Sequence, residues 1–329
     1  MNNLLDIRKP IEGEWKRYEK LLHETLNAED RVQQAVLNYI LSQRGKQMRP
    51  LLVLLCAQIC NPVTDKTLKS AIALDLLHNA SLVHDDVVDH SDTRRGKPSV
   101  NAQWTNKVAV LMGDYMLAKV IGLTAEVRNI RILEIVANLG KSLSTGEVMQ
   151  LHYGSTMWIN EERYLKVIDQ KTAQLFQACA EVGAESAGCT QRQRAALREY
   201  GHLLGLCFQI KDDIFDYSDL EDIGKPTMSD LLDGKVTLPL IEALRRAPQD
   251  EAEEIKNLTQ TLSQGEGEEQ KRALEKVKAF VLRFKGEEYA VQKMLEYKKQ
   301  ATEALNVFRD SAEKRSLLAL LDYAINRVQ

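Results

Sequence analysis

Proline and glycine are scarce, at seven and seventeen in 329 residues. A many-stranded sheet needs more of both to punctuate its turns, so the composition points to an all-α protein. There is no excess of positive charge either, the formal net charge being −3. A nucleic-acid partner usually leaves a basic stripe or surplus, so that class is excluded and any anion binding must be local. The cysteines Cys56, Cys60, Cys179, Cys189 and Cys207 are odd in number and contain no C-x-x-C pair. Neither a disulfide framework nor a zinc site is signalled, and the expectation is buried thiols in a reducing, cytoplasmic setting. The opening "MNNLLDIRKPIEGEWKRYEK" lacks a basic stretch followed by an apolar one, and Asp6, Glu12 and Glu14 argue against a transit peptide. The longest apolar stretch, Val108 to Leu123, is interrupted by Asp114 and Lys119. No transmembrane segment is therefore expected, while attachment to a membrane surface stays open.

What is present is helical patterning on a globular composition of 44% hydrophobic and 28% charged residues. Apolar side chains recur one turn apart at Ile72, Leu76, Ala80 and Val83, and again at Ile130, Leu133, Val136 and Ala137. Breaks at Asn61-Pro62, Thr93 to Ser99, Gly188, Asp222 to Asp230, Ala247-Pro248 and Ser263 to Glu269 divide the chain into about ten helices. The expected organisation is one all-α domain over residues 1–329, with a more charged helical part from about 248 whose apolar stripes are narrower.

One short pattern occurs twice: "DDVVD" at Asp85 to Asp89 returns as "DDIFD" at Asp212 to Asp216. In a helix, the first and last aspartates of such a motif lie one turn apart on the same face. Like charges at that spacing cost helix stability unless a cation joins them, and Mg²⁺ suits a loose, one-sided carboxylate cluster completed by phosphate oxygens. A single motif could equally be a solvated acidic face. Two copies on strongly apolar helices favour a polar cavity, because carboxylates are expensive to bury in a packed interior. Basic residues accompany the motifs: Lys46 and Arg49 in "RGKQMRP", Arg94 and Arg95 in "TRRGKPS", Lys171 beside Thr172, then Lys225 and Lys235. Arginine forks match phosphate oxygens, so the combination points to a diphosphate substrate. His78, His84 and His90 are spaced by six, which does not put two imidazoles on one helix face, and a histidine metal site is not indicated.

The chain resembles the trans-type isoprenyl diphosphate synthases through "GKQMRP" (Gly45 to Pro50), "LLHNASLVHDDVVDHSDTRRGKPS" (Leu76 to Ser99), Gly146-Glu147, Lys171-Thr172, "GLCFQIKDDIFDY" (Gly205 to Tyr217), "GKPTMSDL" (Gly224 to Leu231) and "GKVTLP" (Gly234 to Pro239). The resemblance implies a helical bundle around a deep central cavity, a homodimer, and Mg²⁺ at three ions per site with Mn²⁺ as a substitute. It implies that Asp85, Asp86, Asp89, Asp212 and Asp216 hold the ions, Asp213 having a less direct part. Lys46, Arg49, His78 and Arg95 would bind isopentenyl diphosphate. Arg94, Lys171, Lys225 and Lys235 would contact an allylic diphosphate, with Thr172 and Gln209 at the reacting ends. The implied reaction is sequential condensation onto farnesyl diphosphate, giving an all-trans octaprenyl diphosphate for a quinone side chain, with membrane contact for product release. Ser81 lies one turn beneath Asp85 on the same face. It and Ala80, whose role rests on the resemblance alone, are small where farnesyl-producing relatives carry bulky rings. A shorter-chain synthase, a terpene cyclase and a non-catalytic synthase subunit are the alternatives. The two intact motifs and the isopentenyl-binding set weigh against the last two.

Overall fold

Thr64 opens a 24-residue helix, Asp65–Val88, by a reciprocal capping box with Thr67, satisfying backbone donors that the first turn otherwise leaves orphaned. In this computed structural model, which describes residues 3–156, 160–217, 228–262 and 267–327, seventeen α-helical segments follow one another. They are α1 (Leu4–Arg8), α2 (Glu12–Thr25), α3 (Arg31–Ser42), α4 (Met48–Gln58), α5 (Asp65–Val88), α6 (Val100–Gln103), α7 (Asn106–Val127), α8 (Ile130–Thr156) and α9 (Glu161–Ile168). Then come α10 (Gln174–Ser186), α11 (Gln191–Asp216), α12 (Ser229–Leu232), α13 (Leu238–Arg246), α14 (Gln249–Leu262), α15 (Gly267–Arg283), α16 (Gly286–Ala304) and α17 (Ala312–Asn326). The all-α expectation holds. The expected ten helices were too few because short segments such as α1, α6 and α12 carry no full amphipathic period to reveal them.

The chain packs as two compact units. The first comprises Met1–Lys141, Leu175–Gly201 and Ala304–Tyr323; the second comprises Ser142–Gln174, His202–Glu303 and Ala324–Gln329. In the first, α4 is buried from Pro50 to Ala57 on every side, as a helix apolar all round must be. Its neighbour α10 approaches through Gly183, where an added Cβ would stand 2.4 Å from the carbonyl oxygen of Val53. α7 packs along α5 and buries Ala109, Met112, Met116 and Val120. By length and apolarity alone α7 is a weak candidate for a membrane span, a test that the core helix of a globular protein also passes. In the second unit the charged helices behave as their sequence suggests. α14 buries only the stripe Ala252, Ile255, Thr259 and Leu262, and α15 only Val277, Phe280 and Val281.

One expectation fails in the first unit and another gains detail. The expected break at Thr93 to Ser99 is a small antiparallel hairpin, Thr93–Arg94 (β1) against Lys97–Pro98 (β2). The cysteines are not all free: Cys60 and Cys189 form a disulfide, with Cα atoms 5.6 Å apart and 129 residues between them in sequence. Packing of α4 on α10 brings their trailing ends together, a proximity that no spacing rule records. Cys60→Ser is expected to lower unfolding free energy by roughly 2–4 kcal/mol, because the cross-link closes a long loop in the unfolded chain. Without reductant, thiol titration in denaturant should count Cys56, Cys179 and Cys207 only. Five reactive thiols per chain would disprove the bond.

Candidate active site

In the first unit, α5 ends in the first acidic motif, with Asp89 as its C-cap. Its three carboxylates have different surroundings. Asp86 is 3% exposed and accepts hydrogen bonds from Nε, at 2.9 Å, and Nη2 of Arg94. Burial raises the Asp86 pKa and the Arg94 bonds oppose the rise. Asp85 is half-buried and Asp89 exposed, and the two lie one turn apart on one face of the motif.

The hairpin after α5 aims the adjacent arginines. With Thr93 opposite Pro98 and Arg94 opposite Lys97, the loop is the pair Arg95-Gly96, at φ +54° and +72°. Two positive φ values in a two-residue loop are the twist-matched turn that favours glycine, and Arg95 sits there despite its Cβ. Its Nη1 donates to the carbonyl of Gln43. Its guanidinium lies against Gly45, where an added Cβ would be 2.8 Å from Arg95 Cζ. Tyr39 OH donates to the Pro98 carbonyl at 2.8 Å and anchors the hairpin to α3.

The charges of three guanidinium groups act on His78. Burial, then the charges of Arg49, Arg95 and Arg94 in that order, hold its pKa well below the ordinary imidazole range. His78 is therefore neutral at physiological pH and adds a hydrogen-bonding ring, not a fourth charge. Arg49 stacks over Phe176 at 5.1 Å and Lys46 over Tyr323 at 5.4 Å. Beneath them is a buried cluster that sequence reasoning missed. Tyr18 OH donates to Asp75 at 2.8 Å, and Arg44 Nη2 bonds both Tyr18 OH at 2.9 Å and Asp75 at 3.3 Å. It ties the start of "RGKQMRP" to the middle of α5.

The second unit holds the other set. Between α9 and α10 the chain makes one π-helical turn, Asp169–Ala173, a wide turn that re-aims side chains and is frequent at functional sites. It carries Lys171, paired with Glu147 at 2.6 Å and donating to Gln150 at 2.9 Å. It also carries Thr172, whose Oγ1 donates to Gln209 at 2.7 Å. His202 meets Asp169 at 2.8 Å. Burial pushes the Asp169 carboxyl up, but hydrogen bonds from His202 and Gln174 outweigh it and hold it lower. On α11, Asp212 is ion-paired with Arg327 at 2.6 Å, and Asp216 accepts from the backbone N–H of Asp230 at 3.2 Å. Asp213 is 2% exposed. It accepts from Tyr164 OH and, at 2.9 Å, from Gln209. Burial, then the Asp230 charge, push its pKa up to about 8. Lys235 pairs with Asp233 at 3.0 Å. Lys225 lies outside the described residues.

Residues 30–277 match the family model described as polyprenyl synthetase. The chain belongs to the polyprenyl synthetase family. An octaprenyl diphosphate synthase of Haemophilus influenzae is 35% identical over 290 residues, 88% of this chain and 86% of that protein. A geranylgeranyl diphosphate synthase of Methanosarcina mazei is 31% identical over 298 residues, 88% of each chain. The crystal structure of a Caulobacter crescentus polyprenyl synthase complexed with calcium and isoprenyl diphosphate superposes with a TM-score of 0.89 at 30% identity, covering 99% of this chain and 98% of that one. This polyprenyl synthetase is a prenyltransferase, a prenyl diphosphate synthase. Among its described residues no three His, Cys, Asp or Glu side chains are gathered tightly enough to cage an ion by themselves. The open pair Asp85 and Asp89 nevertheless presents hard oxygen donors on one face, suited to a cation that takes its remaining ligands from water and phosphate. Asp86 and Asp213 are each buried and hydrogen-bonded within the protein, Asp86 to Arg94 and Asp213 to Tyr164 and Gln209. Asp75, Asp169, His202, Tyr164 and Arg327 went unnoticed in the sequence because none falls in a recurring motif.

Proposed function

We propose that this polyprenyl synthetase condenses isopentenyl diphosphate head-to-tail onto an allylic diphosphate, preferably farnesyl diphosphate, to give a long all-trans product of octaprenyl length for a quinone side chain. The observation that carries the reading is the hairpin after the first acidic motif, which puts the Arg94 guanidinium on Asp86 and the Arg95 guanidinium against Gly45, while both charges and that of Arg49 act on a neutral His78. Clustered guanidinium groups repel one another, and a polyanion is the ligand that relieves the repulsion. Lys46, Arg49, His78 and Arg95 then hold isopentenyl diphosphate. Lys171 and Lys235, with Arg94 and Lys225, hold the allylic diphosphate, and Thr172 and Gln209 flank the reacting ends. Asp85, Asp89, Asp212 and Asp216 are the carboxylates that would hold Mg²⁺. When bound, the ion would neutralise charge on the departing diphosphate. The allylic C–O bond breaks with its electron pair leaving on diphosphate. The isopentenyl double bond attacks C1 of the resulting cation, and a C2 proton passes to the released diphosphate. The basic side chains keep both chains aligned and water out. The membrane-impermeant diphosphates favour a cytoplasmic setting. Exposed Val110, Leu111 and Ile121 on α7, with Ile130 and Leu133 on α8, support a homodimer.

Labelled isopentenyl diphosphate, farnesyl diphosphate and Mg²⁺ supplied to the purified chain should yield long labelled prenyl diphosphates. Products without isopentenyl uptake would indicate a cyclase, and no product a non-catalytic subunit. Product length tests the finer reading. Ala80 is 0% exposed, whereas Ser81 is half-buried with its hydroxyl on the His78 carbonyl at 2.9 Å. An added ring at position 81 has more space than one at position 80, where overpacking is expected. Ser81→Phe should cut products to about three or four isoprene units while first condensation continues. Unchanged long products from an active Ser81→Phe enzyme would refute a tail path past that position.

A further inference from the structure

Arg327 follows α17 and belongs to the same compact unit as Asp212. Its side chain is 6% exposed and pairs with Asp212 Oδ1 at 2.6 Å. The guanidinium lies 3.6 Å from the centroid of the Phe208 ring, and Nη2 donates to the Phe208 carbonyl at 2.9 Å. Its Nε is buried with no acceptor among the described residues. A guanidinium packed this deeply with a donor unmet is held by its carboxylate and its aromatic floor, not by a complete set of hydrogen bonds. Asp212, by contrast, is 44% exposed and reachable from solvent. Lys211 adds a second positive charge nearby; burial and then Arg327 lower its pKa.

We propose that Arg327 is an exchangeable counter-ion of Asp212: a positioning residue that occupies the carboxylate in the free enzyme and yields it when a divalent cation arrives. The inference rests on the reading of Asp212 as a metal ligand. A cation sharing Oδ1 would face the guanidinium at close range, so cation binding and the Arg327 pair compete for one oxygen. Competing equilibria at one group are linked, and whatever weakens the pair strengthens cation binding by the same factor. Mn²⁺ alone therefore meets a carboxylate already neutralised. Mn²⁺ arriving with a diphosphate brings acceptors for the displaced guanidinium, so entry of metal is coupled to entry of the anion.

Mn²⁺ binding, followed by electron paramagnetic resonance of the free ion with and without inorganic diphosphate, tests this on the full-length protein. Arg327→Met should bind Mn²⁺ alone about 5- to 100-fold more tightly than wild type. Arg327→Lys, which keeps the charge, should stay near wild type. Inorganic diphosphate should tighten Mn²⁺ binding more in wild type than in Arg327→Met. If Arg327→Met melts far below wild type, Arg327→Gln replaces it with the same expectation. Equal or weaker Mn²⁺ binding by the folded charge-removed variant, in both conditions, would overturn the counter-ion role provided Asp212→Asn weakens binding. Mn²⁺ binding unaffected by Asp212→Asn would instead overturn the metal-ligand reading and the counter-ion role with it.

Discussion

Asp85→Ala and Asp212→Ala each lower turnover about 10²- to 10³-fold, the cost of losing one preorganised stabiliser of developing charge, and chelation of divalent cations abolishes the activity of the wild type. Asp85 is the informative position in the first motif because it is half-buried and open to solvent, whereas Asp86 is buried against Arg94. Removing Asp85 should leave the helical fold intact, since like charges one turn apart do not stabilise a helix. Removing Asp86 should behave differently: it leaves the half-buried Arg94 guanidinium without its carboxylate, so stability falls along with activity. Steady-state kinetics at saturating Mg²⁺, with circular dichroism and thermal melting of the same preparations, separate the two cases. Near-wild-type turnover of either Asp85→Ala or Asp212→Ala would disprove the proposed role of that carboxylate.

Arg95→Ala raises KM for isopentenyl diphosphate about 10- to 100-fold, since a hydrogen bond to a charged group contributes roughly 1.5–3 kcal/mol. Where the contact tightens only in the transition state, kcat falls instead. The structure adds a second route to the same phenotype. The Cβ of Gly45→Ala would stand 2.8 Å from Arg95 Cζ, so the guanidinium must move although Arg95 itself is untouched. Gly45→Ala should therefore reproduce the isopentenyl defect while the allylic KM stays within about two-fold, a change below 0.5 kcal/mol. Arg49→Ala, which removes another of the charges lowering the His78 pKa, should share the selectivity. Initial rates with each substrate varied in turn decide the matter. An Arg95→Ala enzyme impaired only toward its allylic substrate would reverse the assignment of the two diphosphates.

Helical class and the two acidic motifs were legible in the sequence because both are local. Apolar side chains one turn apart report a helix wherever they occur, and Asp85 with Asp89 must share a face once α5 exists. The basic clusters in "RGKQMRP" and "TRRGKPS" were equally readable, and the planar arginine fork is what makes them candidates for phosphate. Spacing could not distinguish Asp85 from Asp86. That difference comes from the hairpin turn at Arg95-Gly96, which swings Arg94 back onto Asp86. Nor could spacing give the long-range pairs: Cys60 with Cys189, Tyr164 with Asp213, His202 with Asp169 and Arg327 with Asp212. Each joins residues tens to more than a hundred positions apart, held together by apolar packing whose many small contacts specify no particular polar partner in advance. The sequence by itself determined which chemical groups this enzyme carries and on which helix faces the local ones lie. Only the tertiary structure decided how deeply each carboxylate is buried and which guanidinium it meets, because both are properties of neighbours in space.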